Sequence, residues 1–400
     1  MSIEALVSIG SELSFYALIE KGRLIEFQID NRDLASKVGN IYRGKIRRIV
    51  PEMQAVFVDI GLPELGFLSL NESIEKGHDI ERRFRQGQTV WVQCIKDAVN
   101  NNVGLPQKSV RLSTKLSLSS ACLVYFPYDN HTGASKKIGD ETQRRLFVKH
   151  LRDLLQDKQR DGGFIIRTAA RKLSTEKLLE AAENMLEDWN QVKLSMLEAK
   201  KPRLVYQAPH LVEQLMQDCV CLDIDKISLN QADQNLRLLF EQKLSGTDIS
   251  LDVIDTDELM LLKQFEIYQQ LKMAMSAKVD MENGGSVIIE RTEALISIDV
   301  NMGSAAYISA QQVNLQAAKI IAEQIRIRNL SGIIIVDFIN LNNQSARREL
   351  LENFSNYVSR DPIRTEVHGM TSLGLVELTR ERSKLSLDQL LVTSTLFSVS

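Results

Sequence analysis

The sequence predicts a multidomain protein that combines α/β and α+β architecture. Two apolar runs near the C-terminus, residues 295–301 and 333–338, flank a long segment with apolar residues at helical spacing. Strand, helix and strand at this spacing indicate a βαβ unit with parallel strands. Five short strand candidates between about residues 36 and 116 suit an OB-fold barrel. A chain of 400 residues has room for about two to four such domains.

The pattern of strands and helices divides the chain into five segments. The first, residues 1–35, reads as short strands, and residues 36–116 carry the barrel candidates. Residues 117–211 mix strands with helices near 139–158 and 175–198, and residues 212–275 end in one helix near 256–275. Residues 276–400 alternate strand and helix.

The βαβ unit carries the most informative residues. Ser309 and Gln312 form a predicted capping box at the start of its helix, and Gly332 is the predicted stop. Asp299 and Asp337 then lie near the carboxyl ends of parallel strands, where open α/β sheets place their sites. Two converging carboxylates can bind Mg²⁺. The alternative is that each aspartate only ends a strand or caps a loop.

The barrel segment combines cations with aromatic residues. Single-stranded nucleic acid is bound by aromatic faces that stack on bases beside cations that contact phosphates. The alternative is that the phenylalanines fill the barrel core. The residues concerned are Tyr42, Arg43, Lys45, Arg47 and Arg48 on one strand, with Phe57 and Phe67 on the next two.

Two further basic features could contact phosphate. A strand that ends in Arg167 and Thr168 offers a guanidinium and a hydroxyl, although a solvated arginine is the simpler interpretation. A basic set around the aspartates favours a polyanionic substrate, although the helix dipole alone would explain Arg326 and Arg328. The set consists of Arg326, Arg328, Arg347, Arg348, Arg364, Arg380, Arg382 and Lys384.

Composition excludes several classes of protein. The net charge of −3 means that a nucleic-acid site must be a local basic patch. We expect neither a membrane span nor a signal peptide, because no apolar run is long enough and the N-terminus lacks a basic segment before an apolar one. Cys94, Cys122, Cys219 and Cys221 do not form paired CxxC motifs, so a cytoplasmic protein without structural zinc is expected.

Several motifs together resemble those of the ribonuclease E/G family of bacterial endoribonucleases, and the likeness extends over nearly the whole chain. They occur in the family's order. The motifs are Val38-Gly39-Asn40-Ile41-Tyr42-Arg43-Gly44, Met53 to Gly61, Ile166-Arg167-Thr168-Ala169, Ile298-Asp299-Val300-Asn301, Asn314 to Ala318, Val336-Asp337-Phe338-Ile339 and Gly374-Leu375-Val376-Glu377.

The resemblance implies a fold and a set of roles. Residues 1–35 and 212–275 would form a ribonuclease-H-like subdomain, with an inserted OB-fold at 36–116, a 5′-sensor domain at 117–211 and a deoxyribonuclease-I-like catalytic domain at 276–400. Asp299 and Asp337 would hold a catalytic Mg²⁺, with Asn301 in support. The remaining implied contacts are Arg167, Thr168, Val124 and Arg364 to a 5′-terminal monophosphate, and Phe57, Phe67 and Lys108 to single-stranded RNA.

The sequence departs from the family pattern at several positions. The cysteines of the family's zinc link are absent after Arg382, so zinc is not expected and a zinc-linked dimer is in doubt, although the chain could still form a homo-oligomer. Met302 replaces a small polar residue, Asn340 stands where aspartate is usual, and Ser109 and Ser120 replace glycines. The leading hypothesis is a Mg²⁺-dependent endoribonuclease. The alternatives are a diverged RNA-binding protein without turnover and a phosphoesterase for small substrates.

Overall fold

The structure is a computed structural model. It describes residues 3–9, 13–31, 36–74, 79–97, 109–136, 138–209, 211–219, 224–230, 234–244, 247–304, 308–359, 361, 363–381 and 386–391. The chain forms two compact units, one of Met1–Leu34 with Asp223–Ser400 and one of Ala35–Leu222. Among the described residues, no helix combines the length and the apolar character that a membrane crossing requires.

The described strands are, in chain order, β1 (Ile3–Ile9), β2 (Leu13–Glu20), β3 (Arg23–Asn31), β4 (Ile41–Val50), β5 (Ala55–Asp59), β6 (Gly66–Ser69), β7 (Thr89–Lys96), β8 (Arg111–Ser113), β9 (Leu118–Ser119), β10 (Leu123–Phe126), β11 (Gly133–Ala134), β12 (Gly163–Ile166), β13 (Arg203–Tyr206), β14 (Ile224–Asn230), β15 (Ser250–Ile254), β16 (Lys278–Asp280), β17 (Ser286–Arg291), β18 (Ile296–Asn301), β19 (Gly332–Asp337), β20 (Thr365–Met370) and β21 (Val376–Arg380). The described helices are α1 (Ile80–Arg83), α2 (Glu141–Asp157), α3 (Thr175–Glu198), α4 (Leu211–Asp218), α5 (Gln234–Leu244), α6 (Glu258–Gln264), α7 (Ile267–Met275), α8 (Ala310–Ile327), α9 (Gln344–Val358) and α10 (Leu387–Leu391).

The unit of residues 35–222 contains a closed five-stranded barrel. Its strands follow the order β4-β5-β6-β8-β7, and β7 pairs back with β4 to close it. Alternation along the strands turns one apolar set inward, including Val56, Val58 and Leu68, which are fully buried. The predicted OB-like barrel is confirmed.

A second sheet in the same unit packs against two long helices. It has the order β11-β12-β10-β9. Helices α2 and α3 bury Phe147, Leu178 and Trp189 in one core with residues of this sheet. This arrangement fixes the end of β12, after which Arg167 and Thr168 follow.

The other unit begins with a five-stranded sheet formed by two distant parts of the chain. Its order is β15-β14-β1-β2-β3, and β1 runs parallel to β14 with Ile3 opposite Ile224. The predicted single helix at 256–275 is wrong. It is two helices, α6 and α7, separated at Glu266, whose φ is 58°. The break lets Leu261 and Ile267 on successive helices reach the same core, which periodicity alone does not reveal.

The last sheet, with the order β16-β17-β18-β19-β21-β20, carries the predicted βαβ unit. Strands β18 and β19 are parallel neighbours, and α8 connects them. Helices α8 and α9 bury their apolar residues against one face of this sheet. The capping box of Ser309 and Gln312 is confirmed.

Gly332 is not the helix stop that the sequence predicts. Helix α8 ends in a Schellman motif, in which Leu330 donates to the carbonyl of Ile325 at 3.0 Å and Asn329 donates to that of Arg326 at 3.2 Å. Asn329 takes the left-handed position with φ of 50°, which asparagine tolerates better than most residues. Gly332 instead begins β19, with a φ of 97°.

Candidate active site

Asp299 and Asp337 face each other on the sheet. They are register partners in the parallel pair β18–β19, so their Cα atoms are separated by about one strand spacing, roughly 4.8 Å. Both side chains are exposed, whereas Ile298 and Val300 beside Asp299 are buried under the helices. The alternation of the strand therefore places both carboxylates on the face opposite to α8 and α9.

Asn301 lies on the same face, two residues after Asp299. Its Nδ2 donates to Asp299 Oδ2 at 2.7 Å. This bond orients the carboxylate and leaves its second oxygen free of that contact. The structure thus brings together the three residues predicted for catalysis. Met302, directly after Asn301, packs against the apolar core.

The segment after Asp337 is held by a buried amide. Asn314, on α8, is fully buried. Its Nδ2 donates to the Ile339 carbonyl at 2.7 Å, and its Oδ1 accepts from the Ile339 amide at 3.0 Å. Phe338 packs edge-on against Phe354 of α9. Sequence reasoning did not assign Asn314 a role, although a polar residue on the apolar face of an amphipathic helix was a usable signal.

The chemistry of this donor set suits a hard divalent cation. Mg²⁺ is commonly bound through one or two carboxylates, and waters complete its octahedron. Asp299 and Asp337 offer two exposed carboxylates on adjacent strands. Within the described ranges, no group of three or more His, Cys, Asp or Glu side chains could hold a metal ion. The aspartate pair therefore fits a water-rich magnesium site and not a cage made only of protein ligands.

The outer surface of the barrel presents two aromatic rings. Phe57 and Phe67 are register partners on β5 and β6, and both are half-buried. Their ring centroids lie 5.8 Å apart in an edge-on arrangement. Neither ring fills the barrel core, whose residues on these strands are Val56, Val58 and Leu68. The alternative interpretation of these two residues as core is therefore wrong.

The other predicted RNA contacts in the barrel have different positions. Tyr42 is 3% exposed within the core, and burial raises the pKa of its phenol. Because its ring cannot stack on a base there, its prediction as an RNA contact is wrong. Arg43 donates to the Lys200 carbonyl at 2.8 Å and to Thr89 Oγ1 at 3.2 Å. Lys108 lies outside the described residues.

The predicted phosphate contacts of the second sheet lie close together. Val124 pairs with Ile165 across β10 and β12, and it is 9% exposed. Arg167, just after β12, donates its amide to the Cys122 carbonyl at 2.8 Å, and its side chain is exposed. The Thr168 hydroxyl lies 2.9 Å from that of Ser135. An exposed arginine is therefore followed directly by a threonine whose hydroxyl contacts that of Ser135.

Three of the eight predicted polyanion contacts, Arg326, Arg328 and Arg380, are enclosed in the fold, so the prediction is wrong for these three. Of the others, Arg347, Arg348 and Arg364 are exposed, and Arg382 and Lys384 lie outside the described residues. Arg326 pairs with the buried Glu26 at 2.6 Å. Arg380, whose side chain is 1% exposed, pairs with Asp361 at 2.7 Å. Arg364 is exposed and pairs with Glu366 at 2.6 Å within the unit that carries the aspartates.

Comparisons with known proteins identify the family of the chain. The profile of the Ribonuclease E/G family matches residues 117–383. The chain is 32% identical to ribonuclease G of Escherichia coli K12 over 420 aligned positions, which cover 98% of this chain and 82% of that protein. It is 30% identical to ribonuclease E of Buchnera aphidicola over 93% of this chain and 40% of that protein. A match of this extent in sequence shows that the chain belongs to the ribonuclease E/G family.

Proposed function

We propose that this protein is a Mg²⁺-dependent endoribonuclease that cleaves single-stranded RNA during RNA processing and decay. The observation that carries the proposal is the pairing of Asp299 with Asp337 in one row of the sheet, with Asn301 bonded to the first of them. Membership of the family and the ribonuclease names of the relatives support the same reaction class. The buried thiols of Cys94, Cys122 and Cys219 are consistent with a cytoplasmic enzyme.

In this proposal Asp299 and Asp337 hold the metal ion. Bound Mg²⁺ would activate a water molecule and stabilise negative charge on the scissile phosphate. Asn301 keeps the Asp299 carboxylate in one orientation, and Asn314 fixes the backbone that follows Asp337. Both contacts lower the entropic cost of assembling the metal site.

The remaining residues would bind the RNA substrate. The barrel would hold the RNA strand on Phe57 and Phe67. Arg167 and Thr168 would bind a 5′-terminal monophosphate beside Val124, and so favour 5′-monophosphorylated RNA. Arg364 belongs to the other unit and stays a predicted phosphate contact. The subdomains would correspond to a ribonuclease-H-like part (1–35 and 212–275), the OB-fold (36–116), the 5′-sensor (117–211) and a deoxyribonuclease-I-like catalytic part (276–400).

The experiment is cleavage of a short single-stranded RNA that carries a 5′-monophosphate. Wild type, Asp337→Asn and the control Asp252→Asn are compared with Mg²⁺ and with EDTA. Asp252 is an exposed carboxylate on β15, in a different sheet of the same unit, so its replacement makes the same chemical change away from the pair. We expect cleavage by wild type and by the control with Mg²⁺ only, and none by Asp337→Asn. Binding without cleavage by folded wild type would support a non-catalytic RNA-binding protein instead.

A further inference from the structure

A row of four side chains crosses the outer surface of the barrel. The register pairs Arg48 of β4 with Phe57 of β5, Phe57 with Phe67 of β6, and Phe67 with Arg111 of β8. The two half-buried rings are thus flanked by one exposed guanidinium on each side. We call these residues the cation–aromatic row: Arg48, Phe57, Phe67 and Arg111.

A bulge in β4 creates one end of the row. The register shifts between Ile46, which faces the core opposite Val58, and Arg48, which lies opposite Phe57. The extra residue, Arg47, turns two successive arginines outward, because a bulge interrupts the alternation of a strand. Arg47 is engaged by Asp59 at 2.6 Å.

Both arginines of the row are exposed cations. Among the described residues, Arg48 and Arg111 have no hydrogen-bond or ion-pair partner, in contrast to Arg43 and Arg47. The guanidinium carbon of Arg111 lies 5.9 Å from the centroid of the Phe67 ring, within the range of a cation–π contact. This contact holds the Arg111 side chain against the ring and leaves its N–H groups available.

We infer that Arg48 and Arg111 bind the phosphates of single-stranded RNA at the two ends of the aromatic pair. The row then accommodates two consecutive unstacked nucleotides, with one base on each ring. This inference rests on the proposed binding of RNA to Phe57 and Phe67. It adds the two residues that provide positive charge and that set how many nucleotides the surface holds. Arginine suits both tasks, because its planar group stacks on rings and donates two bonds to one phosphate.

The test is the salt dependence of RNA binding in EDTA, measured by the anisotropy of a labelled short single-stranded RNA with a 5′-hydroxyl. The variants are Arg48→Ala, Arg111→Ala and Arg111→Lys, and the control is Arg82→Ala. Arg82 belongs to the same barrel segment, is highly exposed and lies 3.6 Å from Asp79, so its loss removes an equal charge from a partnered arginine. Thermal unfolding monitors the fold of each variant.

We expect Arg48→Ala and Arg111→Ala each to weaken binding on the order of tenfold and to lower the slope of log K against log salt by about 0.7, the value for one lost phosphate contact with a single strand. Arg111→Lys should keep the slope, because the charge remains, and Arg82→Ala should resemble wild type. Binding by both alanine variants equal to that of Arg82→Ala would overturn the inference, as would weaker binding with an unchanged slope. Absence of RNA binding by wild type would instead refute the proposed function itself.

Discussion

The side-chain amide of Asn314 bonds both the amide and the carbonyl of Ile339, which follows Asp337 by only two residues. A buried helix residue therefore fixes the path of the chain as it leaves the candidate metal site. We expect Asn314→Leu to raise the Mg²⁺ concentration needed for half-maximal cleavage, because Asp337 would be less well positioned. RNA affinity in EDTA should stay unchanged. A Mg²⁺ titration equal to that of wild type would contradict this role.

Asn314→Asp separates positioning from simple loss of packing. An ionised aspartate could still accept a hydrogen bond from the Ile339 amide, but its charge would repel the Ile339 carbonyl. A protonated aspartate could accept from the amide and donate to the carbonyl, as asparagine does. The Mg²⁺ requirement of Asn314→Asp should thus approach that of wild type as the pH falls. The same titrations on Asn314→Leu provide the comparison at each pH. Parallel behaviour of the two variants would show that the hydrogen bonds do not matter.

The barrel surface predicts different effects for three aromatic residues. Phe57→Ala and Phe67→Ala should each weaken binding of single-stranded RNA by about 1–3 kcal/mol, because each ring would lose one stacked base. Tyr42→Phe should leave binding unchanged, since Tyr42 is enclosed in the core. Fluorescence anisotropy in EDTA measures all three. Full affinity in folded Phe57→Ala and Phe67→Ala would mean that the strand binds elsewhere.

Arg167 should act on one type of RNA end. Its side chain is exposed, and the next residue, Thr168, has its hydroxyl 2.9 Å from that of Ser135. A guanidinium and hydroxyl groups are donors that suit a terminal phosphate. We predict that Arg167→Ala slows cleavage of 5′-monophosphorylated RNA and spares 5′-hydroxyl RNA of the same sequence. The measurement is the initial rate of cleavage of each RNA by wild type and by Arg167→Ala. Equal losses on both would refute a sensor function at this position.

The ion pair of Arg380 and Asp361 should make a large contribution to stability. Both side chains are buried, and Arg380 also donates to Asn329 Oδ1 at 2.6 Å and to the Leu330 carbonyl at 2.9 Å. Asp361→Asn leaves a buried cation without its anion, which costs about 3–5 kcal/mol of unfolding free energy. Glu366→Gln breaks the exposed pair with Arg364 and should cost less than about 1 kcal/mol. Similar urea midpoints for the two variants would contradict the prediction.

Arg328, unlike Arg380, should lower the stability of the folded protein. It is 8% exposed, and its Nη2 has no hydrogen-bond partner among the described residues. Burial lowers the pKa of its guanidinium from 12.5 to about 10. The folded state therefore disfavours the charged form. This penalty, on the order of 3 kcal/mol, is complete below about pH 10 and disappears as the pH rises towards 12.5.

Arg328→Met should accordingly raise the thermal unfolding temperature at pH 7, although it loses the bond from Nε to Gln324 Oε1. The difference in unfolding temperature between Arg328→Met and wild type should become smaller above pH 10. Arg237→Met, a change at an exposed arginine in α5 of the same unit, should have little effect at either pH. Lower stability of Arg328→Met at neutral pH would show that the buried charge is compensated.

The sequence predicted what depends on local pattern. An apolar run that ends in aspartate, followed by an amphipathic helix and a second such run, was enough to find Asp299, Asp337 and the parallel pair. The row on the barrel was harder to find. Arg48 reaches it only through a bulge, and Arg111 only through the pairing of β6 with β8, so neither position follows from periodicity.

The sequence also did not predict which charged and polar residues are buried. Arg326 and Arg380 looked like substrate contacts because their partners, Glu26 and Asp361, are separated from them in sequence and close only in the fold. Asn314 was missed for the same reason, since its two bonds go to the backbone of another segment. Such contacts depend on tertiary packing, which a single sequence does not display.

The pairing of β1 with β14 has a consequence for synthesis on the ribosome. The described strands from β4 to β13 pair only with one another, so the unit of residues 35–222 can fold as soon as it emerges. The hairpins of β1, β2 and β3 must meanwhile wait with one edge of β1 unpaired until β14 is made. At ordinary translation rates this wait lasts roughly 10–40 s. An open strand edge is a template for wrong pairing, so nascent chains of this protein are most prone to aggregate during that interval.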